Sequence, residues 1–92
     1  MVDNAMFQII ANAHNEAIKR NALNIWTVYD HPKDFPHSFV ARRAEVGMDG
    51  LLITSDIVQG ELRIIRNSFR RCGLTCLKRS PQDEPQIVEC WL

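Results

Sequence analysis

The stretch LLITSDIVQGELRIIRNSFRRCG, Leu51 to Gly73, decides the fold. Val58, Leu62, Ile65, Phe69 and Cys72 recur at steps of four, three, four and three, the strongest periodic signal in the chain. That spacing marks one face of an α-helix. Thr54 or Ser55 supplies an N-cap, and Asp56 sits where the positive end of the helix dipole favours a carboxylate. Gly73 closes the helix at the position where a residue without Cβ turns left-handed cheaply. On this reading Leu51–Ile53 is a short apolar approach to the helix, and Gly60 lies inside it. A glycine there costs about 1 kcal/mol relative to Ala, and a close packing contact would explain its presence.

Working outward, Gly47-Met-Asp-Gly50 is a turn. Ser38 to Val46 reads as a strand with Val40, Ala44 and Val46 on one face and Phe39, Ala41, Arg43 and Glu45 on the other. Ile25 to Tyr29 is rich in β-branched and aromatic residues and gives an earlier strand. Pro32 and Pro36 forbid regular structure between the two, so residues 30–37 form a loop joining a wide hairpin. Residues 4–20 form a helix capped by Asp3 or Asn4, with Met6, Ile10, Ala13 and Ala17 as its buried stripe and Asn21 as its left-handed stop. Leu74–Arg79 and Gln86–Leu92 are two further strands around the loop Ser80–Pro85. The fold class is α+β: a four-stranded, largely antiparallel sheet in the order α-β-β-α-β-β, with the helices packed on it. Residues 1–92 make a single domain, an N-terminal helical extension at 1–23 followed by a ββαββ core at 24–92.

The 92 residues allow a core of only modest margin, so a homo-oligomer would be unsurprising. The 46% hydrophobic and 24% charged composition is that of a globular chain. Lys+Arg and Asp+Glu balance at 11 each, and no global field advertises nucleic acid or an anionic membrane. Cys72, Cys76 and Cys90 are an odd set without a CxxC pair and read as small hydrophobes rather than a disulfide framework. The start lacks a signal-peptide pattern and no apolar run reaches the roughly 20 residues of a membrane span. The expected setting is the cytoplasm, with no membrane.

Three blocks, Trp26–Pro36 (WTVYDHPKDFP), Phe39–Arg43 (FVARR) and Asp83–Leu92 (DEPQIVECWL), resemble those of a group of small bacterial proteins of unknown function. The resemblance covers roughly residues 25–92 and leaves the first helix outside. It implies a compact bacterial domain and transfers no catalytic residue.

Tyr29 to Arg43 gathers histidines, aspartates, prolines, aromatics and arginines, and is the densest candidate site. His31, Asp34 and His37 have the ligand types of a zinc or iron site, yet their spacing matches no recognised motif. Exposed histidines on a proline-stiffened loop account for them better. Ser38 beside His37 offers a nucleophile and a base, though neighbours along a strand diverge. Arg42 and Arg43 point to opposite faces. One is expected partly buried against Asp30, Asp34 or Glu89, the other in solvent. Tyr29, Phe39, Arg43 and Trp91 are expected on one sheet face, and Val28, Val40, Ala44, Val88 and Cys90 on the other. Arg63, Arg66 and Arg70 share one face of the second helix and could meet phosphates, although solvation of an outer helix face explains them too.

The leading expectation is a non-enzymatic binding or interaction domain of unknown role. Its binding residues are drawn from Tyr29, His31, Asp34, His37, Arg42, Arg43, Arg63, Arg66 and Arg70. The alternatives are a small metal protein or enzyme centred on His31, Asp34 and His37, or a weak nucleic-acid binder using the arginines of the second helix. No catalytic residue, metal ligand or cofactor is assigned.

Overall fold

Met48 and Asp49 make a two-residue turn that sets Gly47 opposite Gly50, with Gly50 at φ 103°, and the chain returns as a strand. In the computed structural model, which describes residues 4–92, the elements are α1 (Asn4–Lys19), β1 (Leu23–Asp30), β2 (Phe39–Gly47), β3 (Gly50–Gly60), α2 (Leu62–Arg71), β4 (Cys76–Lys78) and β5 (Ile87–Trp91). The chain is α+β as expected. The sheet, however, has five strands and not four, and the element order is α-β-β-β-α-β-β.

The correction falls within Leu51 to Gly73. Ile53, Thr54, Ile57 and Val58 are β-branched and favour a pleated surface, and the tight turn before them delivers an antiparallel partner in β2. Thr54, Ser55 and Asp56 therefore sit in a strand and cap nothing. Gly60 ends that strand at φ 154°, with the Met6 Cε methyl 3.6 Å from where a Cβ would stand. The helical period is real only from Leu62 onward. Val58 falls in phase with it because its strand turns it to the same core, beside Ile65 and Phe69.

The sheet order is β3-β2-β1-β5-β4, with every neighbouring pair antiparallel. One face carries Trp26, Val28, Ala41, Val58 and Trp91, all buried with Met6 and Ile10 of α1 and Ile65 and Phe69 of α2. Phe69 bridges the two tryptophans, its ring centroid 5.6 Å from Trp26 and 5.3 Å from Trp91. Edge-rich, tilted contacts of this kind add to simple area burial. The buried Met6, Ile10 and Ala17 fulfil the expected stripe of α1. The helix docks on its own sheet, where the Asn24 side chain donates to the Ala13 carbonyl at 2.8 Å.

Both helices end in the same left-handed device. Asn21 (φ 54°) lets Ala22 donate to Ala17 at 2.8 Å, and Gly73 (φ 77°) lets Leu74 donate to Phe69 at 3.1 Å. These bonds satisfy carbonyls that a helix end would otherwise leave without partners. Of the two expected caps of α1, Asp3 lies outside the described residues. Among the described residues no helix is long and apolar enough to cross a membrane.

Candidate functional site

The loop after β1 is tied at both ends and in its middle. The His31 amide donates to the Ser38 carbonyl at 3.1 Å, Phe35 to Pro32 at 2.9 Å, and Asp30 to Gln86 at 2.7 Å. His31 adopts φ 47°, and its ring meets Phe39 edge-on at 5.0 Å while Nδ1 contacts the Asp30 carboxylate. Asp34 pairs with Arg42, whose guanidinium lies 5.6 Å from the Tyr29 ring centroid. That contact holds the Asp34 carboxyl below its usual range.

His31 and His37 line a shallow cavity of about 360 Å³ with Ser38, Phe39, Glu61 and Leu62, and Asp34 is not part of it. The expected trio does not converge. Among the described residues no group of three His, Cys, Asp or Glu side chains stands where it could hold a metal ion. The Ser38 hydroxyl bonds to Gln59 at 3.3 Å rather than to a base.

Arg42 and Arg43 diverge as the strand requires, but the buried member finds other partners than those expected. Arg43 is buried and donates to Asp56 at 2.8 Å, to Asn24 at 2.8 Å and to Glu45 at 2.8 Å. Arg20 reaches the same Glu45 carboxylate from the end of α1. Hydrogen bonds from Arg43 and then Arg20 lower the Glu45 carboxyl. Burial works against the Arg43 charge, and Glu45 and Asp56 outweigh it, so its guanidinium is raised. A bulge in β3 makes room for this network. Where the ladder lapses, the Thr54 hydroxyl donates to the Arg43 carbonyl at 2.8 Å and accepts the Asp56 amide at 3.2 Å. Arg43 thus spends its donors inside the fold, on Asp56, Asn24 and Glu45.

The arginines of α2 are also partly spoken for. Arg66 grips the buried Glu89 carboxylate with two hydrogen bonds of 3.0 and 2.8 Å, and Glu89 also accepts the Trp91 indole N–H at 2.8 Å. Burial pushes the Glu89 carboxyl up, but Arg66 and Trp91 overcome it and leave it lowered. Arg70 lies 5.7 Å from the Trp91 ring centroid, and Arg63 is exposed beside Glu61 at 3.7 Å. Of the expected stripe, the central Arg66 is paired with Glu89, and Arg63 and Arg70 flank it. The Cys72 thiol is raised by burial, and that of Cys76 by burial and by Glu89, so both favour the protonated form that is a poor nucleophile.

Among the described residues no helix covers the opposite sheet face. Tyr29 belongs here, opposite Val40, whereas Phe39, Arg43 and Trp91 face the helices with Val28 and Val88, so the expected grouping is corrected at Tyr29, Val28 and Val88. Across β1, β2 and β3 the register aligns Leu23, Val46 and Leu51 in one row and Ile25, Ala44 and Ile53 in the next. Leu23, Val46, Leu51 and Ile53 remain 51%, 38%, 65% and 71% exposed. Four large aliphatic side chains in two adjacent rows form a contiguous apolar surface. Monomeric proteins seldom leave such patches without a use. Reading Leu51–Ile53 as a helix approach concealed it; the glycine-flanked two-residue turn before a β-branched run was the signal that could have found it.

Compared with protein-family models, curated proteins and solved structures, the chain matches none.

Proposed function

We propose that this chain is a non-enzymatic interaction domain that engages another protein surface through the helix-free face of its sheet, at the β2–β3 end. The observation that carries the reading is the in-register pair of apolar rows running from Leu23 and Ile25 to Leu51 and Ile53. Burying such rows is the main favourable term in protein association. The Tyr29–Arg42–Asp34 group supplies a polar margin to the same face. Support for a non-enzymatic role comes from the polar clusters, whose perturbed carboxylates are each neutralised by an arginine. The resemblance of Trp26–Pro36, Phe39–Arg43 and Asp83–Leu92 to small bacterial proteins supports a bacterial setting. Its three free thiols fit a reducing cytoplasm.

The test compares two charge-bearing double variants of the tagged chain in extracts of its host, read by native size. Leu51→Lys with Ile53→Lys should collapse the wild-type species toward the 10.6 kDa monomer. Arg63→Glu with Arg70→Glu should leave it unchanged. The reverse pattern would move the working surface to α2 and sink the reading.

A further inference from the structure

Resting on the reading that contacts are made at the β2–β3 end, we propose that the chain also pairs with a second copy of itself, antiparallel through the β3 edge about a two-fold axis at Leu52. β3 is the terminal strand of the sheet, 11 residues long and free of proline. Leu51, Leu52 and Ile53 are consecutive and more than half exposed, so the strand is apolar on both of its sides at once. Successive side chains point to opposite sheet faces, so this edge is apolar on both faces, whereas an edge strand normally alternates or carries charge. β2 supplies one neighbour, and among the described residues no strand pairs with the other side of β3.

The edge is suited to its own copy. A two-fold at Leu52 sets Leu51 against Ile53 of the other copy and Leu52 against Leu52, so each apolar side chain meets another. Gly50–Ser55 contains no charged residue, so self-pairing brings no like charges together in that span. Beyond it the bulge that lets Asp56 reach Arg43 ends the pairing segment. Only the six residues Gly50–Ser55 of each copy meet in this seam, a contact at the small end of specific interfaces. The dimer is therefore concentration-dependent, not obligate. In it the two sheets join as one of ten strands, and the apolar rows of both copies continue across the seam.

The experiment uses the purified full chain. Sedimentation should show a monomer–dimer equilibrium. In a Cys76→Ser background, Leu52→Cys should form a covalent dimer under mild oxidation, because facing Cα atoms of an antiparallel pair stand about 4.5–5.5 Å apart, within reach of a disulfide. Lys78→Cys, exposed on the far edge in β4 and facing Glu89 rather than a cysteine, should link at least tenfold less. A wild-type chain that stays monomeric at every concentration overturns the proposal, as does equal linking at both positions. A monomeric purified chain alongside a large species in extract that Leu51→Lys and Ile53→Lys dissolve would show a foreign occupant. That result would end the dimer while the wider interaction reading stands.

Discussion

Arg43 shows how much of the structure hangs on one side chain. A guanidinium carried into the sheet loses its water, and it is tolerated because Asn24, Glu45 and Asp56 satisfy its donors on three sides. Removing it leaves the buried Glu45 leaning on Arg20 alone. Arg43→Ala should therefore cost about 3–5 kcal/mol in denaturant unfolding. Arg43→Lys should recover only part of that, since a point charge cannot reproduce the fork. Glu45 and Glu89 make the same point through pH. Both have folded-state pKa values below those of the unfolded chain, so their stabilisation is complete above the ordinary glutamate range near pH 4.3 and is lost as pH falls through the folded values. The melting temperature should be level from pH 7 to about 5 and drop below about 4.3, with a shallower drop in Glu89→Gln. An equally steep drop in that variant would remove Glu89 from the account. The alternation of Arg42 and Arg43 was legible from strand geometry, but the partners of Arg43 were not. Asp56 becomes its neighbour only once β3 exists.

The elements divide in the same way. α1, β1 and β2 are readable because their periodicities are undisturbed and their ends carry strong punctuation at Asn21, Pro32 and Gly47. β3 escaped because Val58 sits at helical phase with Leu62, and Thr54-Ser55-Asp56 imitates a cap. Local pattern alone does not separate a strand that enters a helix from a longer helix when one buried residue serves both. Gly60 separates the two by sign. Inside an exposed helix, Gly60→Ala would gain about 1 kcal/mol. At φ 154° between β3 and α2 it should instead lose at least about 1 kcal/mol, because alanine avoids that backbone region. Thermal unfolding of this one variant checks the boundary, and stabilisation would restore the continuous helix.

At the scale of the whole molecule, both helices pack on one side of a five-stranded sheet, and among the described residues no helix covers the other. Its apolar end is built from residues that are far apart in sequence: Leu23, Val46, Leu51 and Ile53 meet only through the β1–β2–β3 register. That surface was therefore invisible along the chain, while the histidine loop, conspicuous in sequence, proves to be a braced connection whose polar groups mostly satisfy one another. The most direct test of where the molecule makes its contacts is photo-crosslinking in the host, with the reactive side chain placed at Ile53 on the helix-free face or at Arg63 on the outer face of α2. Both positions are exposed, so neither placement disturbs the core. Adducts that form from Ile53, whether to another copy or to another protein, and not from Arg63 are the predicted result; adducts from Arg63 with none from Ile53 would contradict it.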